Sequence, residues 1–161
     1  MRTHLLSYRT LIAELKHDPY DTRDKTIGSE YTPESKHFDP TRLMKLSPTF
    51  KVFFGALTVE KPLVNRRDAM MQFFDDLLIV GEKLERWLKM DGCVAFILGN
   101  KRLGTEIIPA DTIVIELFES AGLKHEKSIR HKLKTNNSNS SVPWQDRIIE
   151  EESILFFRKT R

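Results

Sequence analysis

A single cysteine, Cys93, leaves the chain without an internal disulfide, and no Cys or His lies near it at zinc-ligand spacing. Set in an apolar run, its thiol is expected to be buried and structural, and no metal ligands are expected. Long apolar runs are also missing. None approaches the roughly 18 residues needed to cross a bilayer, so no membrane partner is expected. Met1-Arg2-Thr3-His4 leads into mixed polar sequence without the apolar core of a secretory signal, and the expected location is the cytoplasm. Excess charge is small as well: 26 Lys and Arg against 23 Asp and Glu give +3. Net charge therefore says little about a polyanionic partner.

The distribution of charge says more. Residues 124–134, KHEKSIRHKLK, carry five Lys or Arg and two His against one Glu. A basic stretch of this kind either meets phosphates or is a solvated strand face. With 40% hydrophobic and 30% charged residues, the 161-residue chain can build one ordinary globular core.

Two regions are expected, 1–65 and 66–161. In the first, Leu5, Tyr8, Ile12 and Leu15 recur at helical spacing, and a long polar loop with Pro19, Pro33 and Pro40 follows. In the second, Met70, Phe73, Phe74, Leu77, Leu78, Leu84, Trp87 and Leu88 predict an amphipathic helix over 66–90. Gly81 costs about 1 kcal/mol inside it, which marks a kink or a close packing contact. Cys93–Leu98 is continuously apolar between Gly92 and Gly99, the pattern of a central parallel strand buried on both faces. A second helix follows, with Asp111 as N-cap, Ile113, Val114, Leu117, Phe118 and Ala121 as its apolar face and Gly122 as its stop. Strands over 124–134 and 153–158 are joined by a polar loop without a helix, so they are expected to be antiparallel neighbours. The expected fold class is α/β, with a partly parallel sheet ending in an antiparallel β-hairpin.

Three stretches carry a resemblance. KLERWLKMDGCVAFILGNKRLGTEIIPADTIVIELFESAGLK (83–124) resembles a segment in which a helix and a Gly turn lead into a strand ending Gly-Asn, then the next helix. EEESILFFRK (150–159) resembles a terminal strand, and MRTHLLSYRTLI with DKTIGSE (within 1–30) resembles a segment following a catalytic Pro-Pro-Tyr motif. Together they resemble the S-adenosylmethionine-dependent DNA methylases that modify exocyclic amino groups, of the cytosine-N4 and adenine-N6 type. The fold implied is the C-terminal half of a Rossmann-like methyltransferase sheet.

The departures from that family are as informative. The seven glycines, at 28, 55, 81, 92, 99, 104 and 122, never form the Gly-x-Gly cluster that cradles the cofactor. The nearest match to the catalytic motif, Asp18-Pro19-Tyr20, has one proline and reads as a turn. No catalytic residue is assigned to the chain. The resemblance puts Met1 a few residues past the catalytic tyrosine. The expectation is a chain starting at an internal Met of a longer reading frame, or one half of a split enzyme whose separate N-terminal half carries the missing motifs.

What the resemblance implies for the residues present is support. Arg2, His4, Gly99 and Asn100 would lie beside the active site, and Gly28, Ser29 and Glu30 would form a target-contacting loop. Lys101, Arg102, Lys127, Arg130, Lys132 and Lys134, with Lys124, would meet DNA phosphates, and Trp144 would stack on a base. The alternatives are a non-catalytic DNA-binding or interaction module derived from such an enzyme, and a fragment of an RNA methyltransferase.

Overall fold

The computed structural model describes residues 27, 40–57, 64–99, 102–103, 106–133 and 151–160, with backbone only at 64–66 and 102–103. The expected helix at Leu5–Leu15 lies outside them. In chain order the elements are α1 (Thr41–Leu46), α2 (Pro48–Ala56), α3 (Val64–Trp87), β1 (Cys93–Gly99), β2 (Arg102–Leu103), β3 (Glu106–Ile107), α4 (Ala110–Ser120), β4 (Leu123–Lys132) and β5 (Glu151–Lys159).

The main sheet has the order β1-β5-β4, and both pairings are antiparallel. β1 and β4 therefore run the same way, joined through α4, and the last strand is inserted between them. The expected hairpin partnership of β4 and β5 is present. The expected parallel neighbours are not: no two adjacent strands among the described residues are parallel. β2 and β3 form a separate two-stranded ribbon.

Helices cover one face of the sheet. Val94, Phe96 and Leu98 of β1 point to that face, level with the buried Phe157, Leu155 and Ser153 of β5. There they meet Ile113, Val114, Leu117 and Phe118 of α4 and Met70, Met71, Phe74, Leu77 and Leu78 of α3 in one core. Phe118 is the hub, with its ring edge-on to Phe96 at 5.3 Å and tilted against Phe157 at 5.0 Å. Such pairs add about 0.5–1.5 kcal/mol each beyond their buried area.

Three expectations change at this point. β1 is not buried on both faces. It is an edge strand among the described residues, and Cys93, Ala95 and Ile97 alternate outward into solvent, Ile97 being 61% exposed. A continuous apolar run thus produced a strand covered on one side. Cys93 is exposed rather than buried, with its Sγ 3.7 Å from the Asp91 carbonyl. Trp87, expected in the core, is 76% exposed at the end of α3.

Gly81 is a close contact rather than a kink. α3 runs unbroken through it, and it lies under the Phe118 ring where a Cβ would not fit. Gly122 ends α4 with φ +100°, a conformation that costs glycine little and other residues more. Asp111 is not the N-cap. Pro109 holds that position, and the Asp111 carboxylate lies inside the first turn.

α1 and α2 were not anticipated, although Leu43, Leu46, Phe50, Phe53, Phe54 and Leu57 recur at helical spacing and Ser47-Pro48 is a readable helix start. Leu43 and Phe50 are fully buried in the same core as the sheet. Ser47 caps α2 by accepting from the Phe50 amide at 2.9 Å. Its hydroxyl donates to Glu116 of α4, whose carboxylate also accepts from the Thr49 amide at 3.1 Å and the Thr49 hydroxyl at 2.7 Å. One carboxylate therefore ties the start of α2 to α4 and favours the positive end of the α2 dipole.

Candidate nucleic-acid interface

The basic segment forms β4, the second edge of the sheet, but the pleat divides its charges. Residues opposite one another in a sheet share a face. His125, Ser128 and Arg130 pair with the buried Phe157, Leu155 and Ser153, on the helix-covered side. Lys124, Lys127, Ile129 and His131 pair with Arg158, Phe156, Ile154 and Glu152, on the open side. Glu126 is the extra residue of a β-bulge, since His125 and Lys127 pair with consecutive residues of β5. Were Glu126 paired as an ordinary strand residue, Lys124 and Lys127 would lie on opposite faces. The single basic surface read from the sequence is thus two smaller ones.

On the open face, Lys127 Nζ sits 4.8 Å above the centre of the Phe156 ring. Beside it the Arg158 guanidinium grips the Glu126 carboxylate through Nε at 2.6 Å and Nη2 at 3.2 Å, and donates from Nη1 to the Asp91 carbonyl at 2.9 Å. That hydrogen bond, with the positive charges of Arg158, Lys124 and Lys127, holds the Glu126 carboxyl below the ordinary carboxylate range. The same pair raises the pKa of Arg158. The one acidic residue of the basic stretch is neutralised within the sheet.

On the helix-covered side Arg130 reaches from β4 to Asp111 at the start of α4, Nη2 to Oδ2 at 3.2 Å. Asp111, 7% exposed, also accepts from the Ser153 hydroxyl at 3.4 Å and the Thr112 amide at 2.9 Å. Arg130 keeps 63% of its side chain in solvent. A buried carboxylate thus orients an exposed guanidinium at the carboxyl end of β1, where open α/β sheets place ligands. Nothing in the sequence announced this contact, because its members are 19 and 42 positions apart.

The other anticipated residues divide as follows. Gly99 ends β1, half-buried, at that same edge. Lys132 closes β4, exposed and opposite Glu151. Arg102 is placed by its backbone alone, in β2. Arg2, His4, Gly28, Ser29, Glu30, Asn100, Lys101, Lys134 and Trp144 lie outside the described residues. No group of three or more His, Cys, Asp or Glu among the described residues could hold a metal ion. No described helix is long and apolar enough to cross a membrane.

An S-adenosylmethionine cradle does not fit the described residues. The left-handed glycine, Gly122, closes a helix, and a Cβ on Gly92 would meet the Lys89 carbonyl at 2.7 Å, so both are committed to turns of the chain itself. No methyl-transfer step is therefore assigned to these residues.

No family model and no curated protein matches the chain. Among solved structures it is similar to a protein of Thermus thermophilus provisionally named a DNA modification methylase. The selenomethionine form aligns at 21% identity and TM-score 0.46, over 58% of this chain and 39% of that one. The form complexed with S-adenosyl-L-methionine aligns at 22% identity and TM-score 0.45, over 58% and 40%. The chain thus spans about two fifths of the length of the solved protein it matches. A likeness this low assigns neither activity nor ligand.

Proposed function

We propose that the chain is the C-terminal part of an S-adenosylmethionine-dependent DNA methyltransferase that modifies an exocyclic amino group of cytosine or adenine. The observation that carries this reading is the strand order β1-β5-β4. A terminal strand inserted antiparallel between two strands of like direction is a specific solution, and a hairpin ending of this kind is what the resemblance of residues 83–124 and 150–159 implies. The two lines meet at the same residues. The same resemblance makes the sheet the C-terminal half of a Rossmann-like fold.

Amine methylation needs a flipped base in a pocket, acceptors for the amine hydrogens and a cofactor methyl in line. In this reading the chain supplies the duplex-facing cations and one wall of the site at the carboxyl end of β1. Arg130, Lys127 and Lys132 meet phosphates, and Gly99 with Asn100 borders the pocket. An N-terminal half, either preceding these residues in a longer reading frame or carried by a separate polypeptide, supplies the cofactor cradle and the Pro-Pro-Tyr motif in this reading, because these 161 residues hold neither. Domain division at 65, the target loop at Gly28-Ser29-Glu30, the supporting roles of Arg2 and His4, the base-stacking role of Trp144, the phosphate contacts of Lys101, Arg102 and Lys134, and a cytoplasmic, restriction-modification setting belong to the same proposal.

A second reading, a DNA-binding module without catalysis, is favoured by the exposed basic strand together with the missing cradle. One experiment separates the two. The chain is titrated with S-adenosylmethionine alone, then assayed for methyl transfer to DNA with and without a polypeptide bearing the two missing motifs. The expected result is no cofactor binding alone and methylation on addition of the partner. Tight cofactor binding by the chain alone would overturn the split-site reading. Salt-sensitive DNA binding without methylation in either arm would leave the module.

A further inference from the structure

Among the described residues only Asp111 is both charged and buried. Its neighbours Ala110, Ile113 and Val114 in α4 belong to the apolar core, where a carboxylate costs free energy unless it is paired and hydrogen-bonded. Three donors meet it: the Thr112 amide on Oδ1, and the Ser153 hydroxyl and Arg130 Nη2 on Oδ2. Ser153 is the polar exception in the buried row Ser153, Leu155 and Phe157 of β5, and Arg130 is its partner on β4. Both strands thus turn polar where the carboxylate arrives. An ion pair whose cation stays mostly in solvent adds little stability. What this contact fixes is the direction of Arg130.

We infer that Asp111 is a positioning residue, which holds the Arg130 guanidinium as a planar fork for a phosphate of the DNA backbone. This rests on the DNA-facing reading of β4 and gives Asp111 a role which that reading leaves open. Among the described residues only Nη2 of Arg130 meets a protein acceptor, so most of its N–H groups remain for a ligand. A guanidinium offers them in one rigid plane that matches two oxygens of a phosphate, whereas an ammonium acts as a point charge. A free arginine loses side-chain freedom when it binds. One already held by a buried carboxylate loses less.

Arg130 and Lys132 then do different work on the same face of β4, about 7 Å apart along the strand. Asp111 offsets the charge of Arg130, so at a distance the pair attracts a polyanion weakly. Its contribution is made at contact, through geometry. Lys132, without a buried carboxylate beside it, supplies attraction that needs no fixed direction.

The test uses the full chain and a labelled DNA duplex, with affinity read by fluorescence anisotropy at low salt and folding by melting temperature. Arg130→Ala and Arg130→Lys are both expected to weaken binding roughly tenfold, the worth of a charge-assisted hydrogen bond, because a point charge does not replace the fork. Lys132→Arg should bind like the wild type. Asp111→Asn keeps an oxygen for the Thr112 amide and an amide that can donate to the Ser153 oxygen, so it removes little but the hold on Arg130. It also removes a negative charge, so charge alone predicts tighter binding. The inference predicts weaker binding, and no further loss in the Arg130→Ala background. Wild-type affinity in Arg130→Lys overturns it. So does tighter binding by Asp111→Asn, or an equal loss from Asp111→Asn with and without Arg130. If Lys132→Ala weakens binding while the Arg130 and Asp111 variants do not, the inference falls and the DNA-facing reading stands. If the chain fails to bind DNA even at low salt, both fall.

Discussion

Gly81 of α3 lies directly beneath the ring of Phe118 of α4, so close that a Cβ at position 81 would stand 2.8 Å from Cδ1 and 3.2 Å from Cε1. Two effects oppose each other in Gly81→Ala. Helix propensity gains up to about 1 kcal/mol, whereas overpacking a core costs about 1–3 kcal/mol. The ring cannot yield, because Phe118 is fully buried between Phe96 and Phe157. The expected outcome is a net loss of about 1 kcal/mol by urea denaturation. In Phe118→Leu the clash is relieved, so the double variant should be more stable than the sum of the single ones.

Glu116 holds two side chains and an amide of the Ser47–Thr49 turn. Replacing it with Ala leaves the buried Ser47 hydroxyl without its acceptor and should cost about 1–3 kcal/mol. Ser47→Ala removes both the cap and the Glu116 contact, within the roughly 0.5–2 kcal/mol of a lost N-cap. The two losses should be less than additive in a double-mutant cycle, since they break the same contact. Additive losses would show that the capping and bridging roles are separate.

Acidification tests the Glu126–Arg158 pair. The Glu126 pKa is lowered in the folded chain, so the folded state binds this proton less readily than the unfolded one. Its contribution is present above the ordinary carboxylate pKa and lost as pH falls through the lowered value. Both groups are solvent-exposed, so the effect is small and weakened by salt. Melting temperatures of the wild type and Glu126→Gln should differ slightly at neutral pH and converge on acidification. A gap that persists under acid would assign the effect to something other than this charge.

The division of the basic strand predicts unequal roles for its lysines and arginine. Arg130 and Lys132 lie toward the end of β4 that borders the carboxyl end of β1, and Lys124 lies at the other end. Lys132→Ala should weaken DNA binding for all sequences alike and lower the salt slope by about 1. Lys124→Ala should leave both unchanged. Fluorescence anisotropy over a salt series measures the two quantities. An equal effect from Lys124→Ala would mean that the duplex covers the whole strand.

Local patterns were legible wherever neighbours in sequence decide the outcome. The stripe from Met70 to Leu84 made α3, Gly122 ended α4, and the polar loop between β4 and β5 made them antiparallel partners. The α1–α2 pair is equally local in its spacing, but the prolines before it and at Pro48 mask it as a continuation of the polar loop. Gly81 was legible as a kink or a close contact, and only its place beneath Phe118 decided between them. The paired basic strand at the candidate site could be read, whereas the Arg130–Asp111–Ser153 contact could not, because hydrogen bonds between distant positions leave no periodic trace.

The sequence by itself determined which segments are helices and strands and where basic charge concentrates, because apolar periodicity and turn residues act over a few positions. Only the tertiary structure decided what each strand faces. Continuous apolarity in β1 says that the strand is attracted to apolar surroundings. It does not say which of its faces and edges this chain covers. Strand order settles that, and β5 takes one side of β1 while the helices take one face. The bulge at Glu126 likewise decides which cations of β4 share a surface, joining Lys124 to Lys127 and parting it from Arg130 and Lys132, since a single inserted residue reverses the parity on which every face assignment from sequence depends.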